Sequence, residues 1–392
     1  MSQFGNNSRQ WAEGISKTIT FIVTKDCQLA CKYCYLVGKN TTERMSWEVA
    51  KAAVDYIFEH EFGEESVIWD FIGGEPFLEI DLIDRICDYI KLEMYKRNHR
   101  WFNSYRFSFS TNGINYDSDK VQNFIAKNHS HISVGITIDG TKVKHDLNRI
   151  WKGVEPERGS YEDVVKNIPL WLKQFPEAST KVTISSADIP YIKESVLHLY
   201  SLGIHHININ CVFEDVWKEG DDLLFEQQLI ELANVIIDKE LYRNYSCSFF
   251  QENIGKPLDK EQDNQNWCGA GKMLAIDASG NFYPCTRFAQ YSLRAKKARI
   301  IGNIHDGIDS NKLRPFLTLD RCTQSRPECI DCEVASGCAW CQGENYDAAD
   351  TDTIYQRAIA LCKMHKARVR ANNYYWNKLF YKLKKEETKE NA

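Results

Sequence analysis

The stretch Cys27-Gln28-Leu29-Ala30-Cys31-Lys32-Tyr33-Cys34 carries three cysteines within eight residues. Three thiolates can ligate three irons of a cubane [4Fe–4S] cluster, which leaves the fourth iron open to the amino and carboxylate groups of a small molecule. Isolated cysteine triplets also occur in zinc proteins, so a zinc site is the alternative. The segments around this stretch, called the cysteine loop below, decide between the two interpretations.

A repeating pattern surrounds the cysteine loop. Between residues 18 and 244, short β-branched or aromatic runs alternate with longer segments of helical periodicity, as is typical of repeated βα units around a parallel sheet. We therefore predict an α/β fold, a partial (β/α)6 TIM barrel. The predicted strands are Thr18–Thr24, Ser66–Ile72, Tyr105–Ser110, His131–Ile138, Thr180–Ser185 and His206–Phe213. The predicted helices are Ser46–Phe62, with Ser46 as N-cap, Leu82–Asn98, Asp117–Lys127, Tyr161–Phe175, Ile192–Leu202 and Leu223–Arg243.

Unusual loops follow the first four predicted strands. The first strand runs into the cysteine loop, the second into Gly73-Gly74-Glu75-Pro76, the third into Thr111-Asn112-Gly113 and the fourth into Asp139-Gly140. In barrels of this kind the chemistry sits on the loops after the carboxyl ends of the strands. We therefore expect the four loops to share one mouth.

Composition restricts the class of protein. The formal net charge of -5 over 392 residues makes nucleic acid a poor partner. Neither a secretory signal nor an apolar run of membrane-spanning length is present in the sequence, so we expect a cytoplasmic protein without membrane attachment. Fourteen cysteines in a reducing compartment indicate metal ligation or thiol chemistry rather than disulfides.

A second cysteine-rich region follows the predicted barrel. Its hairpin, Met273–Asp277 with Asn281–Pro284, turns at Gly280. We divide the chain into an N-terminal extension (1–17), the barrel (18–245), a bridging region (246–261), a cysteine-rich domain (262–365) and a C-terminal helix and tail (366–392), with helical periodicity from Thr353 to Lys384. The region's eight cysteines suffice for two further [4Fe–4S] clusters, and zinc ribbons are the alternative. They are Cys268, Cys285, Cys322, Cys329, Cys332, Cys338, Cys341 and Cys362.

The C-x3-C-x2-C spacing and the GGEP loop resemble radical S-adenosylmethionine (SAM) enzymes, and the cysteine-rich region resembles their SPASM extension. The resemblance implies a cluster on Cys27, Cys31 and Cys34 that cleaves SAM to methionine and a 5′-deoxyadenosyl radical. Glycines of the GGEP loop would let the backbone approach the SAM amino group, and Glu75 would accept a hydrogen bond. The implied SAM contacts are Tyr33 beside the adenine, Gly73, Gly74, Glu75, Pro76, Ser110, Asn112, Thr137 and Asp139, with Arg149 pairing either with the SAM carboxylate or in a surface ion pair.

The same resemblance implies two ligand sets in the cysteine-rich region. Cys268, Cys285 and Cys341 would hold one auxiliary cluster, with Cys322 as the uncertain fourth ligand. The second set would be Cys329, Cys332, Cys338 and Cys362. Together with the SAM-binding cluster this makes three [4Fe–4S] clusters. If Cys322 does not ligate, the first auxiliary cluster has an open iron for a substrate thiolate.

The resemblance also bears on the substrate. Anaerobic sulfatase maturases carry an aspartate where Thr286 follows Cys285, and a second cysteine where Gly269-Ala270-Gly271 follows Cys268. The whole chain resembles instead the maturases of Cys-x-x-x repeat peptides, which implies thioether crosslinking of a cysteine-rich, ribosomally made precursor. An external flavodoxin-type or ferredoxin-type electron donor is implied. A separate leader-binding protein or another surface is also implied, because only about 17 residues precede the first strand. Formylglycine formation, peptide epimerisation, carbon–carbon crosslinking and a non-enzymatic electron carrier are the alternatives.

Overall fold

The computed structural model describes residues 16–39, 41–60, 62–262 and 268–390, so most of the predicted N-terminal extension lies outside the described residues. The strands are β1 Ser16–Thr24, β2 Ser66–Gly73, β3 Tyr105–Thr111, β4 Ile132–Ile136, β5 Ser179–Ile184, β6 His206–Cys211, β7 Ser246–Cys247, β8 Leu274–Ile276, β9 Asn281–Tyr283, β10 Gly302–Asn303 and β11 Gly307–Ile308. The helices are α1 Trp47–Glu59, α2 Ile80–Lys96, α3 Asp119–Asn128, α4 Lys142–Asn148, α5 Tyr161–Val165, α6 Ile168–Gln174, α7 Ile192–Ser201, α8 Asp221–Asp238, α9 Ser310–Thr318, α10 Arg321–Gln324, α11 Pro327–Ile330, α12 Gln342–Asp347 and α13 Cys362–Glu390.

The six predicted barrel strands are all present and parallel, but they lie in two sheets. Strands β1 to β4 form part of an eight-stranded sheet, and β5, β6 and β7 form a second sheet. Between β4 and β5 the hydroxyl of Thr180 donates to the carbonyl of Ile136 at 2.8 Å and accepts from the amide of Ile138 at 3.1 Å. The Thr180 side chain thus links the two sheets at the point where a backbone hydrogen-bond ladder would make them continuous.

Alternation along the strands separates an apolar outer face from a polar inner face. The outer residues of β1 to β3, such as Phe21, Phe71 and Phe107, are fully buried in the main core between the sheet and the helices. Because successive side chains of a strand point to opposite faces, the residues between them face the concave interior. In β3 that inner row is Arg106, Ser108 and Ser110, each only partly buried.

Some predicted helix boundaries were right and others wrong. Ser46 caps α1 as predicted, since its hydroxyl accepts from the amide of Val49 at 3.2 Å. The single predicted helix Tyr161–Phe175 is wrong: Pro169 lies at the start of α6 and cannot continue the α5 helix because it lacks an amide hydrogen. Helix α4 was not predicted, and the C-terminal helix begins at Cys362 rather than at Thr353.

The cysteine-rich region joins the barrel through the sheet. Strand β8 pairs in parallel with β1, with Ala275 opposite Thr20, and β9 returns antiparallel beside it. A second apolar cluster covers this junction and includes Ile22, Leu36 and Tyr291. The predicted barrel and cysteine-rich domain therefore share one sheet. Among the described residues, no helix is both long and apolar enough to cross a membrane.

Candidate active site at the barrel mouth

The cysteine loop is held against the segment that follows α4. The amide of Ala30 donates to the carbonyl of Ile150 at 2.8 Å, and the amide of Lys32 donates to that of Asn148 at 3.0 Å. Within the loop, the amide of Cys34 donates to the carbonyl of Cys31 at 3.2 Å. The backbone is thus fixed on both sides of Cys31.

The three thiols lie close enough for their charges to interact. Burial is the main cause that raises the pKa of Cys27 to about 11, and it also raises the pKa of Cys31, with Cys34 contributing. None of these three loop cysteines is in a disulfide. Buried neighbouring thiols without a disulfide suit three ligands of one iron–sulfur cluster, because a cluster neutralises thiolate charge that burial alone disfavours.

Two glycines bring the loop after β2 against the cysteine loop. A Cβ on Gly73 would lie 2.1 Å from the carbonyl oxygen of Thr24, and one on Gly74 would lie 2.1 Å from that of Asp26. The amide of Gly74 donates to Thr24 at 3.0 Å, and the amide of Glu75 donates to Asp26 at 2.9 Å. The glycines therefore permit a close approach between two segments of the chain, a role that the sequence reasoning did not foresee.

Glu75 is buried and accepts its hydrogen bonds from the chain itself. Its Oε1 accepts from the amide of Phe77 at 3.0 Å and from the hydroxyl of Thr111 at 2.7 Å, and its Oε2 accepts from the amide of Asn112 at 2.7 Å. The side chain of Asn112 in turn donates to Gln28 Oε1 at 3.0 Å. The second and third loops are thereby joined to the cysteine loop, as the shared mouth predicts.

Tyr33, Asp139 and Arg149 form a buried polar network. The Tyr33 hydroxyl donates to Asp139 Oδ2 at 2.5 Å and accepts from Arg149 at 3.0 Å. Arg149 is only 6 % exposed, so the surface ion pair considered for it is wrong. Its buried Nε has no hydrogen-bond partner among the described residues, and an unpaired guanidinium nitrogen at the mouth is a donor suited to a carboxylate.

Lys144 is a site residue that sequence reasoning missed. It is fully buried, with its Nζ 3.5 Å from Asp188 Oδ1, 3.9 Å from Asp139 Oδ2 and donating to the carbonyl of Thr183 at 2.9 Å. Burial raises the pKa of Asp139, but Lys144 and Arg149 outweigh burial and hold it below its usual value. No sequence signal marks Lys144, because α4 reads as a polar loop.

Ser110 and Thr137 lie where polar contacts at the mouth were predicted. Both are partly buried, Ser110 near the end of β3 and Thr137 just after β4. The amide of Thr137 donates to the carbonyl of Thr111 at 3.0 Å. Pro76 is buried at the start of a short 3-10 turn after Glu75. Their contacts to SAM stay a prediction.

His145 is a buried residue whose ring contacts Asp139 and Ser160, so its role is structural rather than substrate-binding. Its Nδ1 accepts from the amide of Asp139 at 3.3 Å, and its Nε2 lies 3.0 Å from the Ser160 hydroxyl, which donates to the carbonyl of Arg149. Since Nδ1 accepts, the ring is neutral with its proton on Nε2. Burial, followed by the charge of Arg149, lowers the pKa of His145 to about 3.

We expect this histidine to make the fold acid-sensitive. An unfolded histidine binds a proton near pH 6.5, whereas His145 in the fold stays neutral until about pH 3. Its contribution to stability is therefore complete above pH 6.5 and decreases as the pH falls, by about 2 kcal/mol between pH 6.5 and 5. Urea unfolding at pH 7 and pH 5 should show a smaller acid-induced loss for H145Q than for the wild type. An equal loss in H145Q would contradict this, and H206Q at a surface histidine is the matched control.

The cysteines of the second region fall into two neighbourhoods. Cys268 and Cys341 both influence the pKa of Cys285, which burial raises well above its usual value. Burial also raises the pKa of Cys338, and this pKa is influenced by Cys362, Cys329 and Cys332. Cys322 on α10 is exposed. Among the described residues, no three His, Cys, Asp or Glu side chains are grouped to hold a single metal ion. The ligand sets themselves stay a prediction.

Arg287 connects the neighbourhood of Cys285 and Cys341 to the barrel. It donates to Glu214, after β6, at 3.0 Å and to Glu344, on α12, at 2.9 Å. Its guanidinium also lies over the Tyr35 ring, 4.7 Å from the centroid. Sequence reasoning passed over Arg287 because its partners are remote in the chain. The contacts tie the segments that follow Cys34, Cys285 and Cys341 to one another.

A family model and curated relatives agree with this site. Residues 21–208 match the model of the radical SAM superfamily. An uncharacterised protein of Methanocaldococcus jannaschii is 27% identical over 301 residues, which is 76% of this chain and 91% of that protein. A serine-type anaerobic sulfatase-maturating enzyme of Bacteroides thetaiotaomicron is 24% identical, over 80% of this chain and 78% of that enzyme.

Solved structures show the same fold. Native anSMEcpe with bound AdoMet superposes with a TM-score of 0.68 at 18% identity, covering 93% of this chain and 98% of that one. SuiB of Streptococcus suis bound to the precursor peptide SuiA gives a TM-score of 0.56 at 15% identity, covering 88% of this chain and 76% of SuiB. The similarity thus extends through the barrel into the cysteine-rich region.

Proposed function

This chain is a radical SAM enzyme, and on that premise we propose that it joins cysteine sulfur to another residue of a ribosomally made peptide as a thioether. Cys27, Cys31 and Cys34 would hold the cluster, which supplies the electron that cleaves SAM to methionine and a 5′-deoxyadenosyl radical. The unpaired Nε of Arg149 would bind the SAM carboxylate. The Tyr33 hydroxyl and Asp139 would fix that guanidinium in place.

The observation that carries this proposal is the parallel pairing of β8 with β1. It brings the hairpin that precedes Cys285 beside the strand that precedes Cys27. The amide of Gly38, just past the cysteine loop, donates to the carbonyl of Tyr291 at 2.9 Å. Joining sulfur to carbon requires removal of one electron, so an electron acceptor must lie near the reacting atoms. An auxiliary cluster on the second cysteine region would meet that requirement.

The inner face of the barrel supports a peptide substrate. Its row across the first three strands is Thr20, Asp70 and Ser108, which are neighbours in the ladder. Polar side chains can satisfy the amide groups of a peptide that leaves water. SuiB, which binds the precursor peptide SuiA, and anSMEcpe, which binds the Cp18Cys peptide, support the same class of substrate.

Formylglycine formation is the second candidate, favoured by the similarity to sulfatase-maturating enzymes. Against it stands Thr286, at the position where the sulfatase maturases carry an aspartate. A threonine hydroxyl at that position cannot replace the aspartate carboxylate as the proton acceptor. The Thr286 side chain is instead hydrogen-bonded to Tyr35 of the cysteine loop. We therefore place thioether formation first.

The test uses the reconstituted holoenzyme with SAM, dithionite and a synthetic peptide of Cys-x-x-x repeats. We expect the peptide to lose two hydrogens for each bond formed and to lose one thiol that iodoacetamide can alkylate. The matched peptide with serine for each cysteine should stay unchanged. An aldehyde that reacts with hydrazine would indicate formylglycine, and solvent deuterium uptake without loss of hydrogen would indicate epimerisation. Either outcome would replace the thioether proposal.

Electron supply and peptide delivery are part of the proposal. We propose a flavodoxin-type or ferredoxin-type donor, because dithionite is only a laboratory substitute. Leader recognition would use a separate protein or a surface of the enzyme outside the mouth. Replacing dithionite by a reduced flavodoxin should sustain repeated turnover in the same assay.

A further inference from the structure

Asp70 is the single carboxylate in strands β1 to β6. It lies on the inner face, in the ladder between Thr20 and Ser108. The hydroxyl of Thr20 donates to Asp70 Oδ2 at 3.3 Å, and Ser108 adds a second side-chain hydrogen bond. The strand carboxylate therefore faces the polar interior rather than the apolar core.

Lys181 is the matching cation on the other sheet. The other basic residues of these six strands all have hydrogen-bond partners. Lys17 donates to the carbonyl of Lys272, and Arg106 donates to the carbonyl of Ile132. The His206 ring is hydrogen-bonded to the hydroxyl of Ser246. In the part of the chain that the structure describes, Lys181 has neither a hydrogen bond nor an ion pair of its own. Its ammonium is within electrostatic range of four charged or titratable groups. They are Asp70, Arg287, Cys34 and Asp139.

The other carboxylates at the mouth are already engaged. Glu75 accepts three hydrogen bonds from the chain. Asp139 accepts from Tyr33 and from the amide of Thr183. Glu214 and Glu344 are paired with Arg287. Asp70 accepts hydrogen bonds from two hydroxyls and lies within electrostatic range of the Lys181 ammonium, so it is the carboxylate that remains to act on a substrate.

We propose that Asp70 accepts the proton of the substrate cysteine thiol and that Lys181 holds the resulting sulfur anion. This inference rests on the proposed thioether function and names its proton acceptor. In the step, a substrate C–H bond gives its hydrogen atom to the 5′-deoxyadenosyl radical and forms 5′-deoxyadenosine. The S–H bond breaks, its proton goes to Asp70, and a C–S bond forms. The surplus electron goes to an oxidised iron–sulfur cluster of the cysteine-rich region.

The electrostatics of the pair support this role. Burial raises the pKa of Asp70 to about 6, while Ser108, Thr20 and Lys181 oppose the rise. Burial lowers the pKa of Lys181, while Asp70 opposes the fall. A base whose pKa lies near the operating pH transfers protons efficiently. A lysine ammonium stabilises a nearby thiolate in the same way as other cations near reactive cysteines.

The decisive variants are D70N and K181M, with K181R as the conservative partner. At saturating peptide we expect D70N to slow thioether formation by about a hundredfold and to lower the ratio of thioether to 5′-deoxyadenosine. The rate of the wild type should fall as the pH drops below about 6, where Asp70 becomes protonated, and D70N should not show this fall. K181M should raise the peptide KM, and K181R should restore it in part. D117N and K166M, at a surface ion pair, are the matched controls.

A second measurement does not depend on turnover. Infrared difference spectra of the holoenzyme without peptide should contain a carboxyl band that titrates near pH 6 and is missing in D70N. In K181M that midpoint should move upward, because removing the cation disfavours the carboxylate. An unchanged pH profile and product ratio in D70N, or no such band in the wild type, would overturn the proposal. If the wild type makes no thioether while the band is present, the proposed function is what fails, and the proton-accepting role fails with it.

Discussion

Replacing Cys27, Cys31 and Cys34 together by alanine is expected to reduce 5′-deoxyadenosine formation to the level of a mixture without enzyme. The three thiols are neighbours in one loop whose backbone is bonded to residues 148 and 150. On the proposed assignment this removes all three cysteine ligands of the SAM-binding cluster, whereas the hydrogen bonds that hold the loop use main-chain atoms and persist. Chromatography of the anaerobic reaction with SAM and dithionite measures the product directly.

The control for the triple variant is C87A. Cys87 is a fully buried thiol of α2 that packs in the core between helices and sheet. C87A should therefore retain SAM cleavage, and the triple variant should still contain the iron and sulfide of the two proposed auxiliary clusters. Equal 5′-deoxyadenosine from the triple variant and the wild type would remove the main support for a radical SAM site at this loop.

Gly74→Ala is expected to disable the same site without replacing a cysteine. The added Cβ would lie 2.1 Å from the carbonyl oxygen of Asp26 and 3.0 Å from the Cβ of Cys27. Both neighbours belong to a hydrogen-bonded backbone junction that cannot shift freely. Relief requires the GGEP loop and the cysteine loop to separate, at a cost of about 1–3 kcal/mol in stability. A displacement of about 1 Å at a reacting centre can cost about a hundredfold in rate.

The measurements for Gly74→Ala are iron content, 5′-deoxyadenosine rate and the urea midpoint. Gly63→Ala is the matched control, since a Cβ on Gly63 meets nothing within 4 Å. G63A should equal the wild type in all three measurements. Wild-type rates in G74A would mean that the contact between the two loops is not needed for the chemistry.

The cysteine loop, the GGEP loop and their common mouth were predictable because they depend on local spacing and on a general rule of parallel sheets. The Glu75 amide donates to the carbonyl of Asp26, and the Glu75 carboxylate accepts from the amide of Asn112, which confirms that three loops after successive strands converge. The start of helix α1 was equally predictable, since the Ser46 side chain caps the helix by a hydrogen bond within its first turn. These features need no knowledge of distant contacts.

Other features were hidden because their causes are non-local. The hairpin of β8 and β9 was predicted, but the pairing of β8 with β1 was not, because β1 lies more than 250 residues earlier in the chain. The sequence left Arg149 open between a contact to the SAM carboxylate and a surface ion pair, and only the approach of Tyr33 and Asp139 shows that it is buried. The split between α5 and α6 could have been read from Pro169, since proline disfavours a continuing helix. It was missed because the apolar periodicity runs across it.

The strand pairing between β8 and β1 also determines how the enzyme can be divided. With the C-terminal region removed, β1 would become an exposed sheet edge beside the uncovered side chains of Ile22 and Leu36. Bare edges of this kind recruit strands from other molecules and lead to aggregation. Truncation after residue 261 should therefore give an insoluble fragment rather than a minimal SAM-cleaving unit. Recombination that exchanges the cysteine-rich region would have to include β8 and β9, or supply another strand to pair with β1.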